Sequence, residues 1–305
     1  MNGRATMPPA VVTVGTFDGV HRGHMRVLDE LCRVAGEHHA RSLLVTFDPH
    51  PLRIVRPEAA PPLLTTPAEK MEILAQTAVE RVVFLRFSRE LAAYAPRRFV
   101  TDVLIRRLAM RHLVIGYDHG FGRARSGDVE TLQRIGAELG FGVDVVPPVD
   151  EGGTGDAISS SAIRRALAVG DVVTAARGLG RPYALTGTVI RGAGQGHRLG
   201  FATANLEVGH PEKLIPHEGI YAVRAALKDR TVDGVLHLGP RPTFAGLPPS
   251  IELHLFEFNE DLYGTRVTVM FHGRVRDIAR FASVEALVRA MEQDCQAARR
   301  MLASG

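Results

Sequence analysis

Five short apolar runs in the first half of the chain lack the polar face that a half-exposed strand carries. Residues 11–14, 43–47, 82–87, 112–115 and 143–146 are rich in β-branched and aliphatic side chains. They read as apolar on both faces, which suits strands buried inside a parallel sheet. Amphipathic stretches lie between them; Leu28, Leu31, Cys32 and Ala35 repeat at helical spacing. Strand–helix alternation of this kind predicts a doubly wound α/β sheet that binds ligands at its strand C-terminal ends.

The second half has another texture. The runs 183–190, 221–227, 232–238, 251–258 and 266–271 are strand-like and separated by Gly, Pro and charged turns. Helical pattern is missing until Ser283, a fitting N-cap, opens a stripe of Val284, Leu287, Val288, Met291, Cys295 and Leu302. An antiparallel barrel or sandwich with a terminal helix packed on it is expected. The domain boundary falls near 179–182, after a helical pattern over 163–176. This divides the chain into 1–180 and 181–305. Residues 56–67 are Pro-rich and read as a loop. A chain of 305 residues, 45% hydrophobic and 23% charged, has the length and composition for two such cores.

Composition narrows the functional classes. No apolar run approaches the ~20 residues of a membrane helix, and no apolar signal core precedes Thr13. Two cysteines, Cys32 and Cys295, make no disulfide framework and no zinc pattern. Both lie on apolar helical stripes and read as buried thiols in a reducing, cytoplasmic protein. Lys and Arg number 37 against 33 Asp and Glu, a net of +4. The arginines are scattered, Trp is absent and aromatics are 6%, so neither a basic nucleic-acid tail nor a stacking platform is present. RNA binding, suggested only by the basic balance, ranks last. A mild positive field suits phosphorylated small molecules.

The first run leads into Gly15-Thr16-Phe17-Asp18-Gly19-Val20-His21-Arg22-Gly23-His24 and then a helix. Gly15 and Gly19 permit a tight turn, and the helix start supplies unpaired N–H groups. His21 and His24, three apart, share a face. Two imidazoles beside such donors can hold triphosphate oxygens and stabilise charge at the α-phosphate. The pattern is neither a P-loop nor a dinucleotide fingerprint. Further on, Ser159, Ser160 and Ser161 can cap a short helix, on which Arg164 can reach a β- or γ-phosphate. His50, between two prolines, fits a rigid turn as well as a ligand contact.

In the second half, Gly192, Gly194, Gly196 and Gly200 form a loop whose amides can wrap phosphates. Thr203 and Asn205, two apart, face one side of an extended segment and offer hard oxygen ligands suited to Mg²⁺. In Ile251-Glu252-Leu253-His254-Leu255, alternation places Glu252 and His254 on one face. Glu252 can take the proton of an attacking alcohol.

Gly15 to His24 resembles the HxGH signature of the nucleotidyltransferase superfamily. With Thr46-Phe47-Asp48-Pro49-His50-Pro51, Gly116-Tyr117-Asp118, Phe121-Gly122, Arg125-Ser126-Gly127-Asp128 and 158–164, it resembles the adenylyltransferase module of bacterial bifunctional riboflavin kinase/FAD synthetase. The second half resembles the riboflavin kinase module, so the likeness spans essentially the whole chain. It implies a Rossmann-like α/β nucleotidyltransferase domain followed by a six-stranded antiparallel barrel. ATP, riboflavin and FMN are the implied substrates, with Mg²⁺ or a similar divalent cation, and no nucleic-acid or membrane partner.

Carried onto this chain, the resemblance gives His21, His24 and Arg164 to catalysis of adenylyl transfer. It sets Gly15, Phe17, Asp18, Gly23, Ser159, Ser160 and Ser161 at ATP phosphates and Asp118, Phe121 and Arg125 at the flavin. Gly194, Gly196 and Gly200 would hold the kinase nucleotide, Thr203 and Asn205 its metal, and Glu252 would be the general base. This chain departs from the pattern at four places. His119-Gly120 stands for Phe-Arg in the flavin loop, Ala202 for Pro before Thr203, His197 for Arg in the glycine loop, and His237 for Asn. Two alternatives accompany the bifunctional reading: an enzyme with one live site, or a non-catalytic flavin- or nucleotide-binding regulator.

Overall fold

Each of the five doubly apolar runs is a strand. The computed structural model describes residues 7–117, 127–149, 157–192, 201–240 and 250–303. Within them the chain divides into two compact units, Met1–Ser159 and Ser160–Gly305. The first holds β1 (Ala10–Val14), β2 (Arg41–Asp48), β3 (Arg81–Arg86), β4 (Met110–Gly116) and β5 (Gly142–Val146). Its sheet has the order β3-β2-β1-β4-β5 with every pair parallel. Strand order reverses between β1 and β4, and there a doubly wound sheet opens its ligand crevice.

Both faces of this sheet are covered. Val12, Val14, Val45, Phe47, Leu113 and Ile115 pack on one side against Phe99, Val103, Leu104, Leu132 and Ile135. Val11, Leu44 and Val114 pack on the other against Val27, Leu28, Leu31 and Val34 of α1 (Arg22–Glu37). Each such fully buried aliphatic side chain contributes about 1.5–3 kcal/mol. The edge strands are less deep, and Arg81 and Arg86 at the ends of β3 are exposed.

Short helices surround the strand ends. They are α2 (Pro51–Val55), α3 (Pro67–Leu74), α4 (Arg89–Ala92), α5 (Pro96–Phe99) and α6 (Arg106–Leu108), with a π-helical stretch Val100–Ile105 between the last two, and then α7 (Val129–Leu139). The Pro-rich segment 56–67 is mostly irregular as expected, with a 3₁₀ turn at Pro57–Ala59.

The second unit opens with α8 (Ser160–Ala168) and α9 (Val172–Leu179). It continues as β6 (Tyr183–Ile190), β7 (Ala204–Glu207), β8 (Gly219–Ala226), β9 (Thr231–Gly239), β10 (Ser250–Leu255) and β11 (Arg266–Arg276). These close into a six-stranded antiparallel barrel of order β10-β7-β6-β11-β8-β9. Leu185, Val189, Leu206, Val223, Leu236, Leu253, Val269 and Phe271 are buried at alternating strand positions.

The terminal helix α10 (Val284–Ala303) is capped by Ser283, whose Oγ accepts from the Ala286 amide at 3.2 Å. Its Ala298 and Leu302 cover Ile220, Ala222 and Val235 on the outside of the barrel. Three local readings change. Strand β10 stops at Leu255, and Glu257 turns the chain at φ 53°. Strand β11 runs five residues past Phe271 by way of bulges near Phe271/Gly273 and Arg274/Arg276. Cys32 and Cys295 are half-buried rather than buried, and burial still pushes both thiols above the usual range.

Candidate functional sites

The first unit's site grows from the C-terminal end of β1. Two histidines cap α1 reciprocally: Nδ1 of His21 accepts from the His24 amide at 3.3 Å, and Nδ1 of His24 accepts from the His21 amide at 3.4 Å. A capping box is ordinarily built from a hydroxyl and a carboxylate. Built from imidazoles, it fixes chemistry as well as geometry. An Nδ1 that accepts carries no proton, so each neutral ring bears its hydrogen on Nε2. The rings stack with centroids 3.6 Å apart and an interplanar angle of 17°. The box occupies the amides of His21 and His24, so Arg22 and Gly23 keep first-turn amides with no acceptor inside the helix.

Gly23 suits this packing, which leaves little room for a side chain. A β-carbon there would stand 3.1 Å from Cε1 of His21 and 3.7 Å from the Ile158 carbonyl. The same contact brings the stretch leading into Ser159 against the histidine turn. Ser160 starts α8, Ser161 is exposed and Arg164 is half-buried one turn along.

Phe17 and Asp18 sit inside the turn instead of on its surface. Phe17 is 3% and Asp18 1% exposed. The Asp18 carboxylate accepts from the amides of Leu64 and Thr65 at 3.0 Å each, and from Thr65 Oγ1 at 3.2 Å. The Thr16 carbonyl accepts from Lys70 Nζ at 2.6 Å and Thr46 Oγ1 at 3.0 Å. Lys70, Thr65 and Thr46 were not among the sequence candidates. A usable signal was present: Thr66-Pro67-Ala68-Glu69 is a capping box with proline at the first helical position, and both of its hydrogen bonds form. It places Lys70 one turn ahead of the core residue Leu74.

His50 caps α2, its Nδ1 accepting from the Leu52 amide at 3.2 Å, which is the turn role. Beside it, at the ends of β2 and β3, a cavity of about 400 Å³ is lined by Pro49, Arg53, Ile54, Arg86, Phe87 and Arg89. Apolar walls with guanidinium corners suit an aromatic ligand that carries phosphate. Asp118, Phe121 and Arg125, with the altered His119-Gly120, lie outside the described residues.

The second unit's site lies across three neighbouring strands. Register pairs Glu252 of β10 with Asn205 of β7 on one side and with His237 of β9 on the other. Directly paired residues share a face. Leu253 points inward, so these three point out of the barrel. Glu252 is half-buried, and its Oε1 accepts from Ser250 Oγ at 2.8 Å. The Asn205 amide rests over Gly192, where a β-carbon would come within 2.0 Å of its Nδ2. His254 donates from Nδ1 to the Ala202 carbonyl at 2.8 Å and lies edge-on to Phe201, centroids 5.3 Å apart. That bond restrains the backbone before Thr203, where alanine stands for the family's proline. The glycine-loop residues Gly194, Gly196, His197 and Gly200 lie outside the described residues.

The donor set tests whether a metal fits. Among the described residues no group of three His, Cys, Asp or Glu side chains is placed to hold an ion. A threonine hydroxyl and two amide or carboxylate oxygens remain, the hard and incomplete set that Mg²⁺ takes when nucleotide phosphates complete its shell.

Comparison with known proteins agrees with both halves. A family model described as FAD synthetase matches residues 4–162, and one described as riboflavin kinase matches residues 179–302. The bifunctional riboflavin kinase/FMN adenylyltransferase of Escherichia coli (strain K12) is 36% identical over 292 residues, covering 95% of this chain and 92% of that one. The protein of the same description from Pseudomonas fluorescens is 38% identical over 294 residues, covering 96% and 93%. Among solved structures, one described as a macrolide-efflux protein from Streptococcus pneumoniae superposes with a TM-score of 0.87. It is 30% identical and covers 96% of this chain and 95% of that one. No helix among the described residues is long and apolar enough to cross a membrane.

Proposed function

The chain belongs to the bifunctional riboflavin kinase/FMN adenylyltransferase family, and from that premise we propose which residues carry each of its two reactions. The enzyme phosphorylates riboflavin to FMN with ATP and adenylylates FMN to FAD with release of pyrophosphate.

In the kinase step Glu252 accepts the proton of the ribityl 5′-hydroxyl as that oxygen attacks the γ-phosphorus and ADP leaves. Thr203 and Asn205 would hold Mg²⁺ together with the nucleotide phosphates, and the ion's part there is to neutralise phosphate charge. Gly194, Gly196 and Gly200 keep their assignment to the nucleotide on the family pattern.

In the adenylyl step the FMN phosphate is itself the nucleophile at the α-phosphorus, so no protein nucleophile is needed. The Nε2–H groups of His21 and His24 and the amides of Arg22 and Gly23 donate to oxygens on which charge develops. Arg164 and the serines at 159–161 are assigned to the outer phosphates, and Asp118, Phe121 and Arg125 to the flavin. The cavity between Pro49 and Arg89 is added as a place for FMN. Cytoplasmic residence is proposed from two cysteines with no disulfide.

The reciprocal histidine cap carries this reading, because it holds two imidazoles as aligned donors beside a helix start. The deciding experiment is product analysis after incubation with riboflavin, ATP and Mg²⁺. FMN and FAD are both expected. FMN without FAD overturns the assignment of the first unit's site, and neither product overturns both.

A further inference from the structure

The turn that carries the histidine pair is held in a conformation it would not adopt alone. Phe17 and Val20 have φ of 46° and 38°. Both values lie in the left-handed region, where a bulky or β-branched residue is an outlier. Such conformations are strained and persist only where their surroundings over-determine them.

The surroundings are one strap, residues 63–70, laid along the turn. From it come the two amides that bind Asp18, and Thr65 Oγ1, which accepts from the Gly19 amide at 3.0 Å and donates to Asp18. It ends in Lys70, 7% exposed, whose ammonium binds the Thr16 carbonyl at 2.6 Å. Thr46, 0% exposed, donates to the same carbonyl from β2.

A buried ammonium is an expensive way to bind one carbonyl, since a neutral donor such as Thr46 does so without desolvating a charge. Burial depresses the Lys70 ammonium, and the carboxylates of Asp18 and Asp48 oppose that shift. What lysine adds is a positive charge under the turn. It offsets the charge of the buried Asp18 carboxylate, which the strap holds inside the same turn.

We propose that Lys70 is a positioning residue for adenylyl transfer: through the Thr16 carbonyl it locks the strained 15–20 turn, so that His21 and His24 meet the α-phosphate in reacting geometry. This rests on the assignment of the first unit's site to adenylyl transfer.

The test compares the full-length protein with Lys70→Met, which keeps the stem and removes the charge and donor, and Lys70→Arg, which restores both. Amide exchange over 17–20 is expected to quicken in Lys70→Met and not in Lys70→Arg. The kcat for FAD formation from supplied FMN should fall about 10–100-fold in Lys70→Met, as small misplacements of reacting groups do. KM for ATP should stay within about threefold, the mark of a loss felt in the transition state. Lys70→Arg should recover most of the loss, and FMN formation should stay within about twofold of wild type in both, since the residues assigned to the kinase step share no hydrogen-bond partner with Lys70 among the described residues.

Unchanged exchange, unchanged kcat, or an equal fall of both activities overturns the proposal. Should Lys70→Met not fold, Thr46→Val removes the other donor to the same carbonyl and is read by the same two measurements. Failure of the parent assignment looks different: the wild-type protein then makes no FAD, while exchange over 17–20 still decides whether Lys70 clamps the turn.

Discussion

At the scale of single residues, the histidine pair caps a helix and is assigned to phosphate, and the two roles can be separated. His24→Ala removes both the proposed donor to phosphate and a helix cap. His24→Asn keeps an acceptor for the His21 amide but has no imidazole. Both variants should lose FAD formation by about 10²–10³-fold, the usual effect of deleting a transition-state donor. Only His24→Ala should also lose about 1 kcal/mol of stability with its cap, seen as a lower melting temperature. In either variant FMN formation continues. Glu252→Gln is the mirror case: FMN formation from riboflavin falls about 10²–10⁴-fold, while supplied FMN is still converted to FAD in a coupled pyrophosphate assay. These residues could be nominated from sequence because the chemistry they offer is compressed into short strings. Asp18 was legible as a position but not as a role, since its partners stand 46 and 47 residues away at Leu64 and Thr65. Lys70 was invisible as a site residue for the same reason, its acceptor being 54 residues distant.

At the scale of elements, the strands announced themselves and their ends did not. Apolar runs located all five parallel strands: burial on both faces leaves the inner strands β1, β2 and β4 little choice of residue, and the shallower edge strands β3 and β5 keep enough aliphatic side chains to follow them. In the barrel, β7 was hidden: Ala204–Glu207 is four residues long and follows directly on Thr203, so the polar site residues Thr203 and Asn205 masked the strand pattern. The extension of β11 was hidden by a bulge, which breaks period-2 alternation. His272 lies in that extension, its Nε2 buried without a hydrogen-bond partner among the described residues. Burial first, and then the Arg224 guanidinium, hold its pKa below the usual histidine value, against the pull of Asp233. The unfolded chain therefore takes up a proton near pH 6.5 that the folded barrel refuses. The stability this group contributes is complete above that pH and drains away as pH falls through it. Urea midpoints for the barrel's unfolding should fall between about pH 7 and 5, and His272→Gln should flatten that dependence. The terminal helix has a clamp of its own. Asp294, 6% exposed, receives two hydrogen bonds from Arg276 at 2.8 and 2.7 Å. The apolar stripe read from the sequence passed over this aspartate. Asp294→Asn should destabilise the barrel by about 1.5–3 kcal/mol, the worth of charged hydrogen bonds, read as a lower urea midpoint.

At the scale of the whole molecule, two ATP-using sites share one flavin, and neither site borrows the other's assigned chemical groups. A protein dead in one step and a protein dead in the other should therefore complement when mixed. Glu252→Gln with His24→Ala, given riboflavin and ATP, should form FAD within about threefold of the rate of an equal amount of wild type at low enzyme demand. FAD formation near zero, with FMN accumulating, would show that FMN made by one molecule does not reach another.

The two architectures also differ in how they meet their neighbours in a concentrated solution. Six strands joined in a ring have no first or last member, so among the described residues the barrel has no edge strand for a stray chain to extend. The open sheet does have margins, at β3 and β5, and exposed arginines terminate the first of them. Fibril-like growth, where heating or overexpression provokes it, should then be templated from the margin at β5, and the barrel half should stay out of the fibril spine.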